Sequence, residues 1–300
     1  MPGRRSRSPE EGGGKIADVP AASLPSTIVA ASCQLELAIG QVDANRAAAA
    51  AAVRSAADAG AQLVVLPELT PSGYVFESLA EAVALAEPLD GPTVRSWSRL
   101  AAELDLVVVG GICEAPPDGR PRNTSVVVDR DGLRAAYHKV HLWGDEPDFF
   151  TPGSLAPPVV DTALGRVATM VCYDLEFPEW VRLAALQGAD VLAAPTNWPA
   201  EPVRAAPTPI EVVRVQAGAS TNRMAIVAAD RCGVERGVEW TGGSCIVAAT
   251  GHLVAGPPPQ PGPAVLVGEL HLGLVRDKRT GPRNDALGDR RPELYGPLSR

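Results

Sequence analysis

The 300-residue sequence has only three lysines among its 27 basic residues, so arginine is its usual cation. Lys15 and Lys278 lie near the two ends, which leaves Lys139 as the one lysine in the body of the chain. An ammonium is a compact point charge that a planar guanidinium does not replace. A solitary lysine in such a chain indicates a task specific to an ammonium, and chance placement is the alternative.

The sequence also lacks an apolar run of the roughly 18 residues needed to cross a bilayer, so we expect no membrane partner. Its formal charge of −8 and its pI near 5.1 argue against nucleic acid as a partner, because that contact requires a basic surface. The arginine-rich start is not followed by the apolar stretch of a signal peptide. We therefore predict that residues 1–24 form a disordered leader.

The five cysteines are scattered and include no C-x-x-C pair. An odd, dispersed set in a chain of this length favours reduced thiols and a cytoplasmic protein over a disulfide framework. The histidines do not form an H-E-x-x-H motif, so no metal site is expected.

Predicted strands and helices alternate along most of the chain, which indicates an α/β protein with helices covering buried sheets. Residues 43–60 are typical of a helix that ends at Gly60, and Asp131-Gly132 is a hairpin signal between two β-rich runs. No long linker interrupts the pattern. We predict a single domain over residues 25–275, followed by an irregular tail over 276–300.

Three chemically reactive side chains each follow an apolar strand run. They are Glu68 after "LVVLP", Lys139 after "LRAAYH" and Cys172 after "VATMV". Taken alone, Cys172 is more typical of an inert buried thiol, and the other two are typical of solvated strand ends. Together they form a set suited to acyl transfer: a thiol nucleophile, a carboxylate base and an ammonium that stabilises an oxyanion.

Histidine is an alternative partner for the thiol. Two of the four histidines flank Lys139, and strand alternation places His138 on the face opposite Lys139. His141 remains open as a base. A redox-sensing role for Cys172 is disfavoured because no second cysteine is nearby in sequence.

Three stretches in succession resemble the signature regions of the nitrilase superfamily of carbon-nitrogen hydrolases. They are "LVVLPELTPSGY", "YHKVHLWGDEPDFFTPG" and "VCYDLEFPEWVRLAALQGADVLAAPTNW". The resemblance runs from about residue 26 to "DRRPELY" near the C-terminus. It implies a four-layer α-β-β-α sandwich that forms a homodimer or a higher homo-oligomer, with the C-terminal tail at the dimer interface. It implies no cofactor.

The same resemblance assigns roles to residues. Cys172 is expected to be the nucleophile, Glu68 the general base and Lys139 the oxyanion donor, with Glu146 as a second glutamate that positions the substrate or the base. The residues expected to contact the substrate lie in or beside the three motifs: Tyr74, Trp143, Tyr173, Asn197 and Trp198.

The expected activity is hydrolysis of a non-peptide amide C–N bond through a cysteine thioester, which releases ammonia or an amine and a carboxylic acid. Tyr173-Asp174 after the nucleophile resembles the amidase branches, because nitrile-cleaving members usually have Trp-Glu there. Leu175-Glu176 stands where arginine often pairs with a substrate carboxylate, so an aliphatic, aromatic or amino-acid amide is favoured. A nitrilase or an N-carbamoyl amino acid amidohydrolase is the alternative. A non-catalytic binding member is disfavoured, because Glu, Lys and Cys are all retained.

Overall fold

The computed structural model describes residues 24–117, 119–200 and 207–299. Apart from Leu24, the predicted disordered leader lies outside the described residues. The helices are Val42–Asp58 (α1), Leu79–Leu85 (α2), Pro92–Leu104 (α3), Glu146–Phe149 (α4), Pro178–Leu186 (α5), Ile210–Asn222 (α6) and Leu272–Arg276 (α7). Short 3-10 turns cover Cys172–Glu176, Pro292–Leu294 and Gly296–Ser299.

Strands fill most of the intervals between these helices. In chain order they are Thr27–Glu36 (β1), Leu63–Val65 (β2), Val107–Glu114 (β3), Arg122–Asp129 (β4), Gly132–His138 (β5), Val159–Thr162 (β6), Gly165–Thr169 (β7), Val191–Pro195 (β8), Ala225–Ala229 (β9), Arg231–Cys232 (β10), Val234–Glu235 (β11), Val238–Glu239 (β12), Cys245–Val247 (β13), Leu253–Ala255 (β14), Ala264–His271 (β15), Arg279–Gly281 (β16) and Asn284–Asp285 (β17).

Two large sheets are formed by these strands. The first has the order β10-β1-β2-β3-β4-β5, with β15 also paired to β1, and the second has the order β14-β13-β9-β8-β7-β6. The central pairs β1-β2 and β2-β3 of the first sheet are parallel, as are β7-β8 and β8-β9 of the second. The remaining main pairs are antiparallel, apart from the short parallel pair β1-β10.

The two sheets face each other across an apolar layer of short and branched side chains. Val65 and Val109 of the first sheet share this layer with Val191 and Val227 of the second. Strands that are buried on both faces consist of continuous apolar runs, as β2 and β8 do here. This middle layer is the contact between the inner faces of the sandwich.

Helices cover the outer face of each sheet. Side chains of α1 and α3, including Val53 and Trp97, pack on the first sheet, while α5 and α6 contribute Val181 and Val215 to the core on the second. The resulting order of layers is α-β-β-α, which confirms the predicted four-layer sandwich.

The helix that the sequence predicts over residues 43–60 is present in the structure. Helix α1 covers most of the predicted segment, and Gly60 after it has φ +87°, a conformation that glycine adopts without a side-chain penalty. The tail contains more regular structure than its sequence pattern indicates, since β16 and β17 form a small hairpin there. None of the helices in the described part of the chain is long and apolar enough to cross a membrane.

Candidate active site

The residues predicted to carry chemistry follow strands of both sheets. Glu68 comes three residues after β2, and Lys139 comes directly after β5 in the same sheet. Cys172 comes three residues after β7, and Asn197 two residues after β8, in the second sheet. Because β2, β7 and β8 belong to parallel pairs, Glu68, Cys172 and Asn197 follow the carboxyl ends of such strands, where α/β proteins place their sites.

A buried ammonium lies between two buried carboxylates. Lys139 Nζ donates to Glu68 Oε1 at 2.8 Å and to Glu146 Oε1 at 2.8 Å. All three side chains are almost completely excluded from solvent. Burial alone would lower the pKa of Lys139, but the charges of Glu146 and Glu68 outweigh it and raise the net pKa above its usual value. Lys139 is therefore a permanently charged donor.

Asn123 links the same two carboxylates and was not predicted from the sequence. Its Nδ2 donates to Glu68 Oε1 at 2.7 Å and to Glu146 Oε1 at 3.1 Å. The backbone carbonyl oxygen of Asn123 also accepts from the backbone N–H of Lys139 at 2.9 Å. Asn123 thus fixes both the lysine's backbone and the two acids that its side chain contacts.

Glu68 has one occupied and one open oxygen. Oε1 accepts from Lys139 and Asn123, while Oε2 is buried and has no hydrogen-bond partner among the described residues. Burial raises the pKa of Glu68 to about 7, with the Lys139 ammonium opposing the shift and the Glu146 carboxylate adding to it. A carboxylate with a pKa near neutrality and a free oxygen is suited to accept and return a proton.

The Cys172 thiol lies at a sharp turn between β7 and the 3-10 turn that follows. Its φ is +47°, a left-handed conformation that is strained for any residue other than glycine. Its Sγ donates to the backbone oxygen of Asn197 at 3.7 Å. Burial and then the Glu68 charge raise the pKa of the thiol well above its usual range, with Lys139 opposing them. The resting group is a neutral thiol that needs a base in order to react.

Asp174 holds the cysteine turn against the loop that follows Lys139. Its Oδ2 accepts from the backbone N–H of Val171 at 3.2 Å and from the hydroxyl of Tyr137 at 2.8 Å. Its Oδ1 accepts from the backbone N–H of His141 at 3.0 Å and lies 2.7 Å from the Nδ1 of the same residue. The His141 ring is also stacked on Phe177. Its contacts with Asp174 and Phe177 make His141 part of the structure that holds the cysteine turn.

The sequence profile named Carbon-nitrogen hydrolase matches residues 29–280, a span that contains all four of Glu68, Lys139, Glu146 and Cys172. The chain belongs to the carbon-nitrogen hydrolase family. It is 36% identical over 263 residues to a nitrilase of Pyrococcus abyssi, covering 87% of this chain and 97% of that protein. It is 32% identical to an (R)-stereoselective amidase of a Pseudomonas species, covering 78% of this chain and 81% of that protein.

Solved structures of other carbon-nitrogen hydrolases have the same fold. A double mutant of an amidase from Nesterenkonia sp. AN1, in complex with acrylamide, superposes with a TM-score of 0.75 at 26% identity and covers 93% of this chain and 99% of that one. A carbon-nitrogen hydrolase from Helicobacter pylori G27 superposes with a TM-score of 0.81 at 26% identity, over 91% and 98% of the two chains. The chain is thus an enzyme of the nitrilase superfamily.

The residues that were expected to contact the substrate of this carbon-nitrogen hydrolase fall into different environments. Tyr74 and Trp143 line a cavity that reaches Glu146. Tyr173 packs edge-on against Trp143, with ring centroids 4.9 Å apart. Asn197 is buried, and its Nδ2 donates to the backbone oxygen of Glu68 at 2.9 Å. Trp198 is buried in the core and does not line that cavity, so its contact with substrate stays a prediction.

Glu146 is held in place through both of its carboxylate oxygens. It begins the short helix α4, its Oε2 accepts from the backbone N–H of Trp143 at 2.7 Å, and its Oε1 accepts from the hydroxyl of Tyr74 at 3.0 Å. Burial, followed by the charges of Glu146, Glu68 and Cys172, raises the pKa of Tyr74 well above its usual value, so the phenol acts as a donor. Tyr74 and Glu146 therefore join the cavity to the polar cluster around Lys139.

Proposed function

We propose that this carbon-nitrogen hydrolase cleaves a carboxylic amide, with Cys172 as the nucleophile and Glu68 as the general base. The observation that carries the proposal is the buried ammonium of Lys139, 2.8 Å from both Glu68 and Glu146, at the same edge of the sandwich as the Cys172 turn. A neutral thiol beside a carboxylate that titrates near neutrality is a pair in which proton transfer can accompany attack.

In the proposed first half-reaction, Glu68 Oε2 takes the thiol proton while Cys172 Sγ forms a bond to the amide carbon. The carbonyl π electrons move to oxygen, where Lys139 and the backbone N–H of Tyr173 stabilise the negative charge. Glu68 then returns the proton to the amide nitrogen, the C–N bond breaks and ammonia or an amine leaves. The product bound to the enzyme is a thioester.

In the second half-reaction, Glu68 removes a proton from water as the water oxygen attacks the thioester carbon. Collapse of the second tetrahedral intermediate breaks the C–S bond, and Glu68 gives the proton to the departing thiolate. The carboxylic acid is released and the neutral thiol of Cys172 is restored. Glu146 takes no proton in this scheme, because both of its oxygens accept hydrogen bonds that hold Lys139, Tyr74 and the Trp143 backbone.

The activity of the proposed enzyme should fall on the acidic side of neutrality. Glu68 must be ionised to accept the thiol proton, and its pKa is about 7 in the folded protein. As the pH falls below 7, the protonated fraction grows, so kcat/KM should decrease by about tenfold per pH unit. A profile of kcat/KM between about pH 5 and pH 9 measures this limb. A rate that stays flat down to the lower end would show that Glu68 is not the base.

Nitrile hydrolysis is the second candidate, favoured by the 36% identity to the nitrilase of Pyrococcus abyssi. The relatives also include N-carbamoylputrescine amidases, such as that of Solanum lycopersicum at 32% identity. Ammonia release from a panel of amides, nitriles and N-carbamoyl amino acids separates the three activities. We expect the amides to give the highest kcat/KM, and a nitrile that is hydrolysed faster than its matching amide would replace the proposal.

The assembly and the cellular location follow as further parts of the proposal. We propose a homodimer, because α5 and α6 expose Leu183, Leu186, Ile210 and Val213 on the outside of the sandwich. The tail at that interface and a cytoplasmic location remain predictions. Light scattering of the purified protein measures the assembly, and a mass equal to one chain would exclude the dimer.

A further inference from the structure

An aromatic cavity of about 230 Å³ opens beside the polar cluster. Its wall joins residues of two sequence motifs to five residues outside the motifs: Val75, Phe76, Pro199, Val238 and Trp240. Half of the residues that line it are aromatic: Tyr74, Phe76, Trp143, Phe149, Phe150 and Trp240. Val238 and Pro199 add apolar surface. Apolar walls with a few fixed polar groups at one end are typical of a site for a small organic molecule.

We propose that this cavity binds the acyl side chain of the amide and selects an uncharged, ring-sized group such as phenyl. The inference rests on the proposed amide hydrolysis and adds the class of substrate. An apolar cavity of about 150 Å³ is large enough for benzene, so 230 Å³ accommodates a phenyl ring and a short linker. Edge-to-face contacts with the surrounding rings would add to the burial of apolar surface.

The charges around the cavity exclude an anionic acyl group. Among the described residues that line it, the charged ones are Asp145 and Glu146, and both are acids. The two oxygens of Glu146 already accept hydrogen bonds. A carboxylate on the substrate would lose its hydration shell without gaining a cationic partner in the wall, so its transfer into the cavity costs free energy.

The arginine behind the Trp240 side of the wall is already neutralised. Arg231 lies under the Trp240 ring, with its guanidinium carbon 4.6 Å from the ring centroid, and is completely buried. Its Nη1 and Nη2 donate to the two oxygens of Glu235 at 3.0 and 2.9 Å. A buried two-pronged pair of this kind leaves no guanidinium N–H pair for a substrate carboxylate.

The wall is also fixed relative to the catalytic cluster. Glu235 Oε2 accepts from the backbone N–H groups of Tyr74 and Val75 at 2.9 and 2.7 Å, while the Tyr74 hydroxyl donates to Glu146. Tyr74 also packs edge-on against Trp240, with centroids 5.2 Å apart. A ring bound in the cavity therefore lies next to Glu146, whose carboxylate accepts from the Lys139 ammonium that is proposed to stabilise the amide oxygen.

Glu176 does not supply this selectivity, although the sequence suggested that it would. Its carboxylate is partly buried and pairs with Arg214 Nη1 at 3.0 Å, so its charge is balanced within the protein. Glu176 is also absent from the residues that line the cavity. Selection against a carboxylate is assigned to the wall of the cavity instead.

Three amides with the same scissile bond test the proposal: acetamide, phenylacetamide and para-carboxyphenylacetamide. We expect kcat/KM for phenylacetamide to exceed that for acetamide by about 10- to 100-fold, and the carboxylate to remove most of this gain. Equal values for acetamide and phenylacetamide would overturn the proposal, and so would a preference for the carboxylate.

Two valine variants in the β11-β12 hairpin test whether the preference for phenylacetamide arises in this cavity. Val238→Phe adds a ring to the cavity wall and should reduce the ratio of phenylacetamide to acetamide kcat/KM by about fivefold or more. Val234→Phe is the matched control, because Val234 is exposed in the neighbouring strand and does not line the cavity, so it should leave the ratio unchanged. An equal phenylacetamide-to-acetamide ratio of kcat/KM in the two variants would contradict the assignment of the acyl subsite to this cavity.

Binding to a Cys172→Ala variant separates this proposal from the proposed reaction, because binding needs no turnover. Trp143 and Trp240 lie in the wall, so titration with phenylacetamide should change the tryptophan fluorescence at a lower concentration than titration with acetamide. Preferential binding without hydrolysis by the parent enzyme would reject the reaction and retain the subsite. Hydrolysis without preferential binding would reject the subsite and retain the reaction.

Discussion

Replacing Cys172 by alanine is expected to lower amide hydrolysis by about a thousandfold or more. The variant keeps the β-carbon at the left-handed turn but has no sulfur to attack the carbonyl, so no thioester can form. The turn itself is held by Asp174, which accepts from the Val171 backbone, and this contact does not involve the sulfur. The measurement is kcat/KM for the best amide of the panel.

Cys33→Ala is the matched control for this variant. Cys33 is also a free, fully buried cysteine, but it packs between the first sheet and its helices. Burial raises the pKa of Cys33 to about 12, so it too is a neutral thiol. Its removal should leave kcat/KM near the parent value. A Cys172→Ala enzyme that is as active as Cys33→Ala would exclude Cys172 as the nucleophile.

Replacing Glu68 by glutamine should lower kcat/KM by about 10²- to 10⁴-fold, because it removes the group that is proposed to accept the thiol proton. Glutamine has nearly the same shape and can still accept from Lys139 through its amide oxygen. The Cys172 thiol would then face no base, and its pKa is far above neutrality. The residual activity of the variant should also lack the decrease in kcat/KM below pH 7.

Glu114→Gln serves as the control for Glu68→Gln. Glu114 is another buried carboxylate of the first sheet, but it contacts Thr124 at 2.7 Å and His138 at 2.8 Å, on the face opposite Lys139. Its substitution can affect stability without removing the proposed base. Equal losses of activity in the two variants, at equal folded fraction by circular dichroism, would argue that Glu68 acts only through structure.

Local sequence patterns were sufficient to predict the elements that carry Glu68, Lys139 and Cys172. Each residue follows an apolar run that is a strand in the structure, and the hairpin at Asp131-Gly132 is formed between β4 and β5. Alternation along β5 also placed His138 correctly, since His138 faces Glu114 whereas Lys139 faces the buried carboxylates of Glu68 and Glu146. The pairing of two sheets came from the family resemblance, because strand patterns do not specify which sheets pack together.

Asn123 could not be found in this way, because its position depends on a register shift. Counting back from the hairpin turn sets Asn123 opposite His138. A bulge between Val127 and Val128 moves the pairing by one residue, so the Asn123 carbonyl instead accepts from the Lys139 backbone. A bulge of this kind has no clear signal in "RNTSVVVDRDG".

The sequence motifs predicted only part of the lining of the aromatic cavity. Tyr74 and Trp143 belong to the motifs, but Trp240 and Val238 lie far along the chain in a small hairpin. Their place is set by the buried Arg231-Glu235 pair and by the bonds from Glu235 to the backbone of residues 74–75. Contacts at a separation of about 160 residues cannot be read from local periodicity.

The most direct test of the central claim is mass spectrometry of the enzyme quenched during turnover of an activated aryl ester with the preferred acyl group. Such an ester acylates the thiol quickly, so hydrolysis of the thioester limits the rate and the intermediate accumulates. We predict that the acyl group is found on the peptide that contains Cys172 and that it is absent from the Cys172→Ala variant. An active enzyme that turns over the ester with a burst, but carries the acyl group on another residue, would contradict the account.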